Sequence, residues 1–142
     1  MPRKIKQSGV KVIIPTHGPE QTIESRTCVA GVKYSDFQQV PEKVVREHIV
    51  KCLPLGLAWE RTNRIDPLAL KLSIGNHHIG YIPAKAPATL RDTIHELHQA
   101  GAKVRVYLTA YYPQNPSYTM LVIRVTAAAP TSTLSSPGEI AL

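Results

Sequence analysis

Cysteine is scarce in this sequence, with only Cys28 and Cys52 among 142 residues. A secreted domain of this size that relied on disulfides would normally carry several spaced pairs, so we expect two reduced, buried thiols. The longest apolar run, Cys52–Trp59, has eight residues and contains Pro54 and Gly56. A membrane-spanning helix needs about 20 apolar residues. The sequence therefore predicts no such helix, and we expect a cytoplasmic protein.

Acidic residues are also few, with ten Asp and Glu against 17 Lys and Arg and a formal net charge of +7. Residues 1–19 carry four Lys or Arg and no Asp or Glu, whereas residues 20–126 carry thirteen against nine. More than half of the excess positive charge therefore lies in a short N-terminal segment. This balance favours a polyanionic partner, most simply nucleic acid, although charge alone does not identify it.

Motifs for catalysis and metal binding are weak or absent in the sequence. It contains no Gly-rich phosphate loop and no nucleophile elbow. His77 and His78 adjoin in a predicted strand and would point to opposite faces, while the pair His95 and His98 has no evident third ligand. We therefore expect a protein without catalytic activity, metal or cofactor.

The chain is short enough for one domain between two tails. Turn residues around Pro15–Pro19 mark a boundary, so residues 1–22 are predicted to form a basic, flexible arm. The domain should cover residues 23–126. From Ala127 the sequence is rich in Ala, Pro, Ser and Thr, a composition that cannot bury enough apolar area to order a chain, so residues 127–142 are predicted to be disordered.

Alternating apolar residues and turn signals predict six strands within this domain. They are Arg26–Tyr34, Leu55–Arg61, Leu68–Ile74, His77–Ile82, Lys103–Tyr112 and Tyr118–Thr126. Helical spacing predicts a short helix after Pro41 and a second one from Leu90 to a C-cap at Gly101. Gly75-Asn76 predicts a two-residue hairpin turn. The sequence thus favours a mainly β fold: a small, OB-like or SH3-like, partly closed barrel of five to six strands with one or two flanking helices.

The strand Lys103–Tyr112 is predicted to place Lys103, Arg105, Tyr107, Thr109 and Tyr111 on its outward face. Such a face combines cations for phosphates with flat rings on which unpaired bases stack. An ordinary solvated sheet face that uses Tyr for its strand propensity is the alternative interpretation.

The stretch Glu60–Leu72, which reads Glu-Arg-Thr-Asn-Arg-Ile-Asp-Pro-Leu-Ala-Leu-Lys-Leu, and Ile79–Pro83, which reads Ile-Gly-Tyr-Ile-Pro, together resemble the signature of the HIRAN domain. In that family an acidic, Pro- and Asn-containing loop leads into a strand, a hairpin and a Gly-Tyr-(Ile/Val)-Pro segment. Gly31–Tyr34 is similar to the family's Gly-(Val/Leu)-Arg-Tyr, and Tyr118–Met120 to the start of its last strand. The resemblance covers about residues 24–126.

The resemblance implies a barrel that binds DNA and, in fork-remodelling helicase-like members, grips a single strand at its free 3′ end. Carried onto this sequence, Lys33 would hold phosphate, Tyr34 would stack on the terminal base and Asp66 would accept a hydrogen bond from the 3′-hydroxyl. Because a carboxylate repels phosphate, Asp66 would favour an end that lacks one. Ile65 stands where end-binding members have an aromatic residue, so one ring and one aliphatic side chain would enclose the base.

Asn63, Tyr81 and Tyr118 fall near the same pocket by this resemblance. Lys85, Arg105 and Tyr107 complete the predicted nucleic-acid-binding set.

These observations together predict a non-catalytic module that binds single-stranded DNA and its free 3′-hydroxyl end, in repair, replication or mobile-element biology. One alternative is a protein-interaction module whose basic arm only aids solubility. Another is an accessory subunit that supplies DNA binding to a separately encoded helicase or nuclease.

Overall fold

The structure, a computed structural model, describes residues 20–84, 90–113 and 119–128. This part of the chain forms six strands and two α-helices, which confirms the predicted mainly β class. The elements are β1 (Gln21–Cys28), α1 (Glu42–Val50), β2 (Gly56–Trp59), β3 (Leu70–Ile74), β4 (His77–Tyr81), α2 (Leu90–Gln99), β5 (Lys103–Tyr112) and β6 (Met120–Ala128). Neither helix in these residues is long and apolar enough to cross a membrane.

The strands form two antiparallel sheets of three, in the orders β1-β6-β5 and β2-β3-β4. Two isolated bridges connect the sheets, one between Ala30 and Tyr81 and the other between Pro54 and Tyr107. The two sheets are therefore joined at two places, by one isolated bridge at each. Among the described residues the sheets do not close into a complete barrel.

The core lies between the two sheets, because strand alternation turns one face of each sheet inward. Fully buried side chains come from both sheets and both helices, and they include Leu72, Ile79, Ile94, Leu121, Ile123 and Val45. Helix α1 packs against β5. Two ion pairs at i,i+4 spacing, Arg46 with Glu42 and Lys51 with Glu47, lie along its exposed surface.

The hairpin and helix signals in the sequence are confirmed. Ile74 pairs with His77, so Gly75 and Asn76 form the two-residue turn, and Gly75 has a φ of 59°. Helix α2 ends where Gly101 takes a φ of 86°. The amide of the following residue, Ala102, then donates to the carbonyl of Leu97 at 2.9 Å.

The position predicted for the first strand is wrong. The strand was expected at Arg26–Tyr34, but β1 is Gln21–Cys28 and pairs with β6. Gly31 has a φ of 73°, which is incompatible with an extended strand, and it leads into a 3₁₀ turn at Val32–Tyr34. This segment is rich in strand-forming residues, but it leaves the sheet at Gly31, because glycine adopts a positive φ without steric cost.

The predicted domain, residues 23–126, starts two residues after the beginning of β1 and ends two residues before the end of β6. Strand β6 continues to Ala128, because Ala127 is buried against Leu97 and Ala102. The predicted tail therefore starts too early, and its remaining residues, 129–142, lie outside the described chain. Most of the predicted N-terminal arm, residues 1–19, also lies outside it.

The expected burial of the two thiols is also wrong, because Cys28 and Cys52 are both free and exposed. Cys28 ends the partly exposed strand β1. Cys52 follows α1 with a φ of 52°, where the chain turns out of the helix.

Gly80 lies where β4 crosses the chain after β1, and we predict that alanine is not tolerated there. Gly80 has a φ of 145°, and an added Cβ would meet Val29 Cγ1 and approach the carbonyl oxygen of Ala30 to 2.6 Å. Strain and overpacking should lower the free energy of unfolding by about 3 kcal/mol in Gly80→Ala.

Gly75→Ala is the matched control, because its added Cβ would meet no atom within 4 Å. Its positive φ alone should cost about 1 kcal/mol. Urea denaturation measures both values, and equal losses would contradict the close contact at Gly80.

Candidate nucleic-acid interface

The first loop of the candidate site is the 3₁₀ turn that follows β1. Val32 is buried in the core, whereas Lys33 and Tyr34 face outward. The Tyr34 side chain is 83% exposed, and the Lys33 ammonium lies 5.3 Å from the centre of its ring. Ser35 Oγ donates to the Val32 carbonyl at 2.6 Å and fixes the end of the turn. A cation and an exposed aromatic ring are thus held side by side.

The second loop connects β2 to β3 and is shaped by two side chains that accept backbone hydrogen bonds. Asn63 Oδ1 accepts from the amides of Ile65 at 3.0 Å and Asp66 at 2.9 Å. Asp66 Oδ1 accepts from the amide of Leu68 at 3.2 Å. These local bonds replace strand pairing and present Ile65 to solvent, where it is 97% exposed.

Tyr81 connects the two loops. Its backbone exchanges two hydrogen bonds with Ala30, at 2.8 and 2.9 Å, just before the 3₁₀ turn. Its hydroxyl donates to Glu60 Oε1 at 2.9 Å, and Asn63 Nδ2 donates to the same oxygen at 3.2 Å. Lys71 Nζ lies 3.6 Å from Glu60 Oε2. Tyr81 therefore holds the chain before the first loop through its backbone and the start of the second loop through its hydroxyl.

The contacts at Glu60 and Tyr81 shift the pKa of each group away from its ordinary value. Burial alone would raise the pKa of Glu60, but the hydrogen bonds from Tyr81 and Asn63 and the charge of Lys71 together lower it. Burial, then the hydrogen bond to Glu60 and the charge of that carboxylate, raise the pKa of Tyr81. The cluster thus favours an ionised Glu60 beside a neutral Tyr81.

These pKa shifts set the pH range in which the cluster stabilises the fold. Because the pKa of Glu60 is lower in the folded chain, its stabilisation is present above the unfolded pKa and is lost as acid protonates it. Because the pKa of Tyr81 is raised, its contribution is present below the unfolded pKa and is lost as the pH rises through the folded one.

Asp66 has an ion-pair partner that the sequence did not reveal. Arg91 Nη1 on α2 donates to Asp66 Oδ2, and the next turn of that helix places His95 Nε2 2.8 Å from the carbonyl oxygen of Leu68. Arg91 offsets the negative charge of Asp66, so the expected repulsion of phosphate is weakened at this point. The i,i+4 spacing of Arg91 and His95 was the available sign that both face one neighbour.

The predicted outward face of β5 is wrong at its central ring. Tyr107 is only 9% exposed, its hydroxyl donates to Glu20 Oε1 at 3.0 Å, and the Arg124 guanidinium lies 4.8 Å from its ring centre. Arg105 is exposed but pairs with Glu20 Oε2 at 3.3 Å. Contacts from Glu20, which precedes β1, and from Arg124 of β6 therefore cover the Tyr107 ring that alternation assigned to a stacked base.

The structure thus connects the turn of Lys33 and Tyr34 to the loop of Asn63, Ile65 and Asp66 through Tyr81 of β4. It places Arg105 and Tyr107 on β5 of the other sheet. Glu60, which the sequence argument gave no role, is the acceptor that joins the loops. Lys85 and Tyr118 lie outside the described residues.

Comparison with known proteins finds no family match for this chain. No protein-family model matches it, and no curated protein matches it. A structural-genomics crystal structure of a Lactobacillus plantarum protein is similar at 16% sequence identity and a TM-score of 0.47. The match covers 78% of this chain and 99% of that one. A similarity of this size gives no information about function.

Tyr81→Phe tests the hydrogen bond that joins the loops, because it removes the hydroxyl and keeps the ring. We expect the pKa of Glu60 to rise and the free energy of unfolding at neutral pH to fall by about 1 kcal/mol. The loss should shrink in acid, where a protonated Glu60 no longer accepts a charge-assisted bond.

Carbon-detected NMR titration of the Glu60 carboxyl group measures the pKa change directly. Tyr112→Phe is the control, because Tyr112 is 54% exposed and lies at the end of β5. An unchanged pKa of Glu60 in Tyr81→Phe would contradict the contact.

Proposed function

We propose that this protein is a non-enzymatic module that binds single-stranded DNA on the surface formed by Lys33, Tyr34 and Ile65. The observation that carries the proposal is the exposure of two apolar groups on joined loops. Ile65 and Tyr34 are the two most exposed of the large hydrophobic side chains in the described residues. Exposed apolar groups beside a cation are typical of sites that stack unpaired bases.

The chemistry of this surface suits a single strand better than a duplex. An unpaired base offers a flat face to the Tyr34 ring, while Ile65 can cover its other face with an aliphatic side chain. The Lys33 ammonium beside the ring is available to an adjacent phosphate. In a duplex the bases are stacked on each other, and two side chains on separate loops cannot reach both faces of one base.

Asp66 extends the proposal to the free 3′ end. Its carboxylate accepts from the Leu68 amide and from Arg91, yet a carboxylate offers about four acceptor positions. The side chain is 41% exposed, so a 3′-hydroxyl can approach the remaining lone pairs. The resemblance to HIRAN domains, where the matching position contacts that hydroxyl, supports the same role. The proposal therefore assigns Asp66 to the terminal nucleotide.

Tyr34→Ala should weaken the binding of a single-stranded oligonucleotide by about 5-fold to 150-fold, because stacking is worth about 1–3 kcal/mol per base. Fluorescence anisotropy with a labelled oligonucleotide measures the dissociation constant. Tyr112→Ala also removes an exposed phenol, at the end of β5, and should leave affinity unchanged. Equal affinity of Tyr34→Ala and the parent protein would refute the proposed surface.

The assignment of Asp66 predicts that a 3′-phosphate weakens binding about tenfold relative to a 3′-hydroxyl, because it removes the hydroxyl that donates to the carboxylate. A 5′-phosphate should have little effect. Asp66→Asn keeps a side-chain oxygen for the Leu68 amide but lacks the charge, and should reduce this discrimination. Competition anisotropy with the three oligonucleotides measures it. If the parent protein binds all three equally, end recognition fails while general strand binding still stands.

A further inference from the structure

A cavity of about 320 Å³ opens on the opposite side of the β2-β3-β4 sheet from the Tyr81 cluster. Strand pairing places Ala58, Lys71 and Tyr81 on the outer face, whereas Trp59 and its partner Leu70 face inward. The cavity lies between this inner face, helix α2 and the start of β5. It is therefore a separate site from the proposed DNA surface.

Most of the residues that line the cavity are apolar. The aliphatic side chains of Leu57, Leu70, Ile94 and Val104 line it together with the indole of Trp59. The indole is fixed in place, because its Nε1 donates to the carbonyl of Pro67 at 2.7 Å. A volume of this size lies at the small end of the range of natural ligand pockets, about 300–1,000 Å³.

The polar residues that line the cavity are all basic. The Arg61 guanidinium lies 4.3 Å from the centre of the Trp59 ring, and none of the described carboxylates forms an ion pair with it. His95 packs edge-on against Trp59 at 4.7 Å, and His98 on the next turn of α2 is exposed at the cavity. The lining contains no Asp or Glu.

We propose that this cavity binds a small organic carboxylate with an aromatic or branched aliphatic body. Arg61 would pair with the carboxylate through two parallel hydrogen bonds, which its planar guanidinium is suited to form. The body of the ligand would take the place of water against the aliphatic wall and Trp59. A compact, doubly charged anion such as phosphate fits less well, because most of the wall offers no compensating donors.

The chain contains a single tryptophan, so the fluorescence of Trp59 reports on this cavity alone. We propose titration with phenylacetate, with phenylacetamide as the uncharged counterpart and acetate as the charge without the apolar body. Phenylacetate should produce a saturable change, and each of the other two should bind at least about tenfold more weakly, because each lacks one of the two interactions.

Variants of the 142-residue chain separate the contribution of the charge from that of the apolar wall. Arg61→Gln should weaken phenylacetate about tenfold, whereas Arg64→Gln, which removes a neighbouring exposed arginine, should not. Val104→Phe adds a ring to the wall and should abolish the response. Tyr34→Ala should keep it, so this proposal and the DNA proposal can fail independently.

Three results would overturn the carboxylate site. The first is the lack of a saturable response to phenylacetate, and the second is equal affinity for phenylacetamide. The third is a dissociation constant for Arg61→Gln that equals that of the parent protein.

Discussion

The fold and the proposed binding surface both depend on one residue, Tyr81, whose backbone and side chain contact different parts of the chain. Its backbone pairs with Ala30 and joins the two sheets at one seam. Its hydroxyl reaches Glu60 at the start of the β2-β3 loop. The first contact holds the chain that leads into the 3₁₀ turn of Tyr34, and the second holds the start of the loop that carries Ile65, which α2 also contacts through Arg91 and His95. A surface assembled from both loops requires that connection.

Strand alternation gives the β2-β3-β4 sheet two chemically different faces. The outer face carries the polar cluster of Glu60, Lys71 and Tyr81, and the inner face carries Trp59 above the basic, apolar-walled cavity. Two side chains of α2 lie in different surroundings. Arg91 pairs with Asp66 of the β2-β3 loop, and His95 lines the cavity. Helix α2 therefore contacts both the β2-β3 loop and the cavity.

The sequence predicted those features that local chemistry decides. Gly75-Asn76 specified a hairpin, and the apolar spacing before Gly101 specified α2, because turn and cap geometry depend on a few adjacent residues. Features that depend on distant contacts were missed. Alternation placed Tyr107 outward, but Glu20, at a separation of 87 residues, bonds its hydroxyl. Arg91 pairs with Asp66, 25 residues away, and the i,i+4 spacing of Arg91 and His95 indicates a shared neighbour without identifying it.

The most direct test of the account is whether one DNA strand contacts both loops at once. A single-stranded oligonucleotide with a nitroxide near its 3′ end would be titrated into nitrogen-15-labelled protein, and broadening of amide signals would be recorded. The account predicts that the amides of Lys33 and Tyr34 and those of Ile65 and Asp66 broaden together, while those of α1 do not. Broadening that is confined to one loop, or that centres on β5, would contradict it.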